Sequence, residues 1–513
     1  MRILALFVTS ILLFSCSSLP EPVPESIPEQ AQYYPAPLQE CVVKLTDFKR
    51  TVQQQGVQDA QLLWLPQYPH LAFDRFSLSM LPELNSSQDK KQWLRYVAGQ
   101  AAIQRQVEYQ NLTNKKAIAF AYQENCARLL VDASLYNMNF WFGLQQSPPV
   151  IPSDYQTWQR VVGLYPISKL FAGPSIQSEK MRILGGFHQP LHDYSIAYAV
   201  ADKPKLTQQE IQIWFKQARE KSNLDWPLLT DNQMASLSDF HTPEFLIESA
   251  SLDDKPGQVE YQKSGQPRVD TNKPILYVGQ SFTRFHGNIL LQLNYSLWFA
   301  NRTAKSAWDP YAGRFDGILF RLTLDHQGQP YILDSIHHCG CYHMVFALDP
   351  QLKFAARKTD IEAPITLQVS PKRNANTLNI TLSHGDHMIK GVRWIQNNSR
   401  VRHLAPLNYQ RLRSLPTQTE QNRNLFDEQG MLMASKRLER LYLWPFGVKS
   451  PGTTRQIGHH AVAFIGERHF DDASMLVALF LNPYNNLSHP IKNSHEPENS
   501  NHRLSISPII SFQ

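Results

Sequence analysis

Ten consecutive residues hold the densest reactive chemistry of this chain: Asp334, Ser335, Ile336, His337, His338, Cys339, Gly340, Cys341, Tyr342 and His343. In extended backbone, alternate side chains share a face. His337, Cys339, Cys341 and His343 would then present a ladder of nitrogen and sulfur ligands on one side. Zinc and copper accept such donors. Gly340 would let the backbone bend inward so that they converge. The spacing is not the Cys-x2-Cys of a zinc finger, and four ligands from so short a run are cramped. The expectation is therefore two or three ligands here and the rest from elsewhere. His459 and His460, which end a glycine-punctuated loop beginning at Ser450, are the expected partners. Asp309, Asp316 and Asp334 are candidate carboxylates. With a metal bound, Asp334 or Glu467 would move protons in metal-assisted hydrolysis.

The same residues admit other chemistry. Cys339 and Cys341 could close a small, strained and readily reduced disulfide. They could be plain buried thiols beside core histidines. One of them could be a nucleophile activated by a neighbouring imidazole, or the pair could serve thiol redox exchange. Further histidines read as structural. His384-Gly385-Asp386-His387 has the composition of a tight turn. His188 and His192 stand at helical spacing, but Pro190 between them opposes a ligand-bearing helix.

The elements that must position this run follow from pattern. Residues 38–255 read as mainly helical, with apolar residues at helical spacing through Trp93, Tyr96, Val97 and Ala101. Thr207 followed by Glu210 predicts a capping box and a helix through Ile211, Trp214 and Phe215. A turn at Asp253–Gly257 and a polar stretch to Pro274 place a boundary around 250–272. Residues 272–482 read as strand-rich. Gly317–Leu324 and Tyr331–Ile336 flank Asp325–Gln329, a hairpin pattern, so a strand delivers the reactive run at its end. Ala461–Ile465 predicts a strand, Arg437–Trp444 a strand or helix, and Ala473–Leu481 a terminal helix. Residues 483–513 read as a loose tail. The expected fold class is α+β: a mainly helical N-terminal region, then a mostly antiparallel β-sheet domain.

Composition bounds the function. The chain has 513 residues, 42% of them hydrophobic and only 18% charged, enough for a large core. A formal charge of +6 is mild at this length. With no zinc-finger spacing, no glycine-rich phosphate loop and no dense basic patch, nucleic acid is not an expected partner.

The N-terminus carries an address. Met1-Arg2 precedes an apolar run from Ile3 to Phe14, and Leu13-Phe14-Ser15-Cys16 follows. This resembles a bacterial lipoprotein signal peptide with its lipobox. The resemblance implies removal of residues 1–15 and lipidation of Cys16. With Ser17 and no Asp after the cysteine, it also implies sorting to the periplasmic face of the outer membrane. Residues 16–37 hold six prolines and read as an extended tether. In that oxidising compartment Cys41 and Cys126 are natural disulfide partners. Asp309–His343 and Trp444–Asp472 resemble proteins of Gram-negative bacteria, a resemblance that implies no activity. The leading expectation is a lipid-anchored periplasmic protein with a His/Cys site for zinc or copper. The alternative is a non-enzymatic envelope protein, with a structural Cys339–Cys341 disulfide and an aromatic surface for a polysaccharide or protein partner.

Overall fold

The computed structural model of the protein describes residues 23, 31–32, 34–115, 119–187, 189–356, 362–372, 376–396, 400–419 and 421–484. The expected signal segment, Cys16, most of the tether, His188 and the tail from residue 485 lie outside the described residues. Among those described, no helix is long and apolar enough to cross a membrane.

The N-terminal helices form for local reasons. Ala36–Gln54 begins with prolines at positions 35 and 37, where missing amide donors cost nothing, and buries Cys41, Leu45, Phe48 and Val52 along one stripe. Phe120–Tyr136 packs against it and is joined to it by a disulfide between Cys41 and Cys126, with Cα atoms 4.9 Å apart. Ser86 and Asp89 cap Ser87–Asn111 reciprocally. Thr207 and Glu210 do the same for Gln208–Glu220, where the sequence predicts it.

The rest is organised around one mixed sheet. Its strands, numbered here within that sheet, are β1 (Ser195–Val200), β2 (Glu244–Glu248), β3 (Ile275–Phe285), β4 (Asn288–Arg302), β5 (Gly313–Leu324) and β6 (Pro330–His337). They continue as β7 (Met344–Ala347), β8 (Ile365–Gln368), β9 (Thr377–Leu382), β10 (Ile389–Ile395) and β11 (Arg402–Asn408). The spatial order is β8-β7-β6-β5-β4-β3-β11-β1-β2-β9-β10. The centre, β3 to β7, is an antiparallel meander, whereas β7/β8, β3/β11, β11/β1 and β2/β9 pair in parallel. The fold is α+β.

Three details correct the sequence reading. Strands β1 and β2 come from the expected helical region yet sit inside the sheet, so the sheet crosses the expected boundary at 250–272. Both are strands of five or six residues built on short apolar runs, Ile196–Val200 and Phe245–Ile247, which periodicity alone cannot assign. The expected helix Ala473–Leu481 is a chain of turns. Its backbone is engaged elsewhere: Arg284 N–H donates to the Ala473 carbonyl and Ala355 N–H to that of Leu479. Ala461–Ile465 is likewise a tight loop with a single bridge to His469, and Arg440–Leu443 is one helical turn.

The helices cover one face of the meander. Alternate residues of β4, including Leu291, Leu293, Tyr295 and Phe299, join Trp93, Phe215 and Phe245 in the main core. The opposite face of β4 carries Gln292, Asn294 and Ser296, all buried. Residue parity along β5 and β6 therefore decides which of two environments each reactive side chain meets.

Candidate functional site

Strand β6 ends at His337, and the chain then folds into a turn instead of continuing extended. Gly340 N–H donates to the His337 carbonyl at 2.8 Å, and His337 N–H donates to the Cys341 carbonyl at 3.0 Å. Gly340 has φ +89°, and a Cβ there would collide with the Ala461 carbonyl, so only glycine fits. Tyr342 also takes positive φ. The expected alternating ladder is thereby broken.

Its members go different ways. His337 faces Asp316, with Nδ1 3.7 Å from Oδ1. His343 faces Asp334, with Nε2 3.9 Å from Oδ2. Asp334 pairs across the sheet with Arg321, which has opposite parity to Asp316 on β5, so the two imidazoles lie toward opposite faces. Burial lowers His343 to about 4, against the pull of Asp334. His338 is packed on Trp298, ring centroids 4.4 Å apart, and shares a 2.9 Å hydrogen bond with Ser296. Burial holds it neutral, down at about 3.

The two thiols remain together. Cys339 and Cys341 are both free, Cys339 buried and Cys341 partly exposed. The neighbouring Cys341 thiol, then the Arg437 guanidinium and the His337 ring, favour ionisation of Cys339 and hold it well below the usual thiol range against its burial. The Cys339 sulfur and burial push Cys341 up. A guanidinium near a thiol favours the thiolate, the nucleophilic form of cysteine.

Behind the thiols stands a buried charge network. Arg437 donates to Asp316 and to the Phe315 carbonyl, each at 3.0 Å, while its Nε has no protein partner among the described residues. Asp316 also binds His387 Nδ1 at 2.7 Å. Burial alone would raise Asp316; Arg437, His337 and His387 outweigh it and hold the carboxyl well below its usual range. His387 is stacked on Phe299 at 3.8 Å. Burial would lower this imidazole, but Asp254 and Asp316 lift it to about 9. Arg302, also buried, reaches the Tyr342 hydroxyl at 3.2 Å. Glu439, 3% exposed, packs against Gly452. Burial raises its carboxyl to about 7, the nearby Cys339 adds to this, and Arg437 and Arg302 oppose it.

Cys339, Cys341, Tyr342 and Glu439 open onto a cavity of about 580 Å³. The helix Tyr165–Gly186 supplies one wall through Phe171 and Ile176, and Tyr442 and Phe446 another. The space is mainly apolar with a few charged groups in its lining, the usual build of a small-ligand site.

The expected partners His459 and His460 do not complete a metal centre with these thiols. Both line a separate cavity of about 570 Å³. His459 has both ring nitrogens engaged, Nε2 on the Ala60 carbonyl at 2.7 Å and Nδ1 on Asp154 at 3.1 Å. Burial would lower it, and Asp154 outweighs that to raise it. His460 is buried and held well below its ordinary value. Among the described residues, the one group of three or more His, Cys, Asp or Glu with ligand atoms within 4.8 Å of one another is His192, Glu248 and His384. His337, Cys339, Cys341 and His343 are thus close along the backbone yet divided between faces, and His459 and His460 lie on a different cavity. Asp309 accepts turn amides from Lys305 and Tyr311, and Glu467 pairs with Arg160 at 2.8 Å on the surface.

Arg302, Arg437 and Glu439 carry no local signal that singles them out, and they reach the thiols only through the tertiary fold. The chain matches no known family, and comparison with curated proteins and with solved structures found no similar protein.

Proposed function

We propose that the protein is a dithiol–disulfide oxidoreductase acting on a substrate that enters the cavity at Cys339 and Cys341. The observation that carries this reading is the pair of free thiols, separated by the single residue Gly340, at a cavity wall beside a buried guanidinium. Two adjacent thiols can exchange two electrons without leaving a lone reactive sulfur.

The chemistry closes. The Cys339 thiolate attacks one sulfur of a substrate disulfide, forming a mixed disulfide and releasing a substrate thiolate. Cys341 then loses its proton to Glu439 and attacks Cys339 Sγ. The products are a Cys339–Cys341 disulfide and the second substrate thiolate; the substrate has gained two electrons. Run backwards, the same steps oxidise a substrate dithiol. Arg437 stabilises the thiolate, both as attacking and as leaving group. A carboxyl poised near neutrality suits Glu439 to shuttle that proton. The Cys41–Cys126 disulfide fits an oxidising compartment. The lipobox-like start fits attachment there through Cys16, on the periplasmic face of an outer membrane.

The test is trapping. The reduced full-length protein is incubated with an aromatic disulfide and its adducts are read by intact mass. The Cys341→Ser variant should accumulate a mixed disulfide on Cys339, the Cys339→Ser variant should react far more slowly, and the unaltered protein should end as an internal disulfide. Two thiols that stay titratable throughout, with no adduct on Cys341→Ser, would overturn the reading.

A further inference from the structure

We infer that His192, Glu248 and His384 form a second site, for a divalent transition-metal ion of the zinc class. It is independent of the thiol cavity, which none of the three lines.

Three adjacent strand ends build it. Glu248 is the last residue of β2. His192 lies just before β1, whose Ser195 pairs with Glu248. His384 sits in the turn after β9, which runs parallel to β2 with Leu382 beside Ile247. The ligands therefore sit at the ends of neighbouring strands of one sheet, with Glu248 on a strand and the two histidines in the connections beside it.

The side chains are arranged for an ion. Glu248 is 1% exposed and its two oxygens are divided. Oε1 takes the Lys390 Nζ at 2.5 Å, while Oε2 faces His384 Nδ1 at 3.4 Å. Lys390 thus fixes the carboxylate and leaves one oxygen for a third party. The His192 ring stacks on Tyr194, centroids 4.9 Å apart and nearly coplanar at 8°, and meets the His384 ring edge-on at 5.5 Å. Ligand atoms held about 2.0–2.2 Å from one tetrahedral zinc ion lie roughly 3.3–3.6 Å from each other. The observed Oε2 to Nδ1 separation already has that value, and no pair in the group exceeds 4.8 Å. Both histidines are exposed, so a small ring rotation closes the set. Two neutral imidazoles and one carboxylate oxygen suit zinc better than calcium or magnesium, which prefer all-oxygen cages. Three protein ligands at the surface leave coordination positions open to solvent.

Cobalt(II) chloride and zinc chloride are the probes, titrated into the reduced full-length protein. The unaltered protein should bind one equivalent at this site. His192→Ala with His384→Ala should weaken that binding about 100-fold; both residues are exposed, so the thermal midpoint without metal should not move. The cobalt complex should show visible d–d bands without a thiolate charge-transfer band, and Cys339→Ser with Cys341→Ser should leave them in place. Three results would overturn the site: no binding by the unaltered protein, undiminished binding by the double-histidine variant, or a thiolate band that marks the thiols as ligands.

Discussion

Glu439→Gln should make the protein more stable and less active, and pH should separate the two effects. The carboxyl is buried, and its pKa stands at about 7 against an ordinary 4.5. At about 1.36 kcal/mol for each pH unit, that difference corresponds to about 3 kcal/mol between the charged and neutral forms. The sign follows from linkage: a folded-state pKa that is raised favours the fold below the unfolded value and loses that advantage as pH rises through the folded value. At pH 8 the native protein must hold the buried carboxylate at its full cost. Glutamine is nearly isosteric and uncharged at both pH values. Urea unfolding should therefore place the variant about 3 kcal/mol above the unaltered protein at pH 8, shrinking toward zero near pH 4.5. The same variant should resolve the mixed disulfide more slowly above pH 7, because Cys341 has lost its proton acceptor. An equal stability difference at both pH values, or a loss of stability at pH 8, would refute the argument that burial strains this carboxylate. A stabilised variant with an unchanged resolving step would remove Glu439 from the mechanism.

Two further outcomes follow from buried charge. Asp59 is fully buried and accepts from Arg413 at 3.1 and 2.7 Å, with Gln456 and Asn424 also bonded to it. Arg413→Met would strand that carboxylate and should cost about 3–5 kcal/mol in urea unfolding; a change under 1 kcal/mol would contradict the reading. His387, raised to about 9 between Asp254 and Asp316, adds stability that is fully present below its ordinary 6.5 and lost as pH rises through 9. His387→Gln should flatten the fall in stability between those values, and an NMR titration of the imidazole should find it still protonated at pH 8.

Much of the secondary structure was legible from local chemistry. The Thr207 and Glu210 pair marks a helix start because both groups satisfy orphan amides within four residues. The hairpin around Asp325–Gln329 is equally local, closing through Asp325 N–H to the Gln329 carbonyl at 2.8 Å. Cys41 and Cys126 are the expected partners on the premise of an oxidising compartment, and they are bonded.

The ten-residue run was correctly read as the end of a strand, and its two thiols stay together beside a cavity. What it does there was not legible. The alternation that would unite His337 with His343 holds only while the backbone stays extended, and Gly340, pressed on the Ala461 carbonyl, turns it. Pairing of Asp334 with Arg321 across β5 and β6 then sends His343 to the far face. Arg437 and Glu439 reach the thiols from about a hundred residues downstream. The His192, Glu248 and His384 group needs β2 to lie parallel to β9, a pairing across more than 130 residues. Sequence by itself determines what each segment can become, because caps, turns and periodicity act over a few residues. Only the tertiary structure decides which charges meet, because burial and parallel strand pairing join atoms that no local pattern connects.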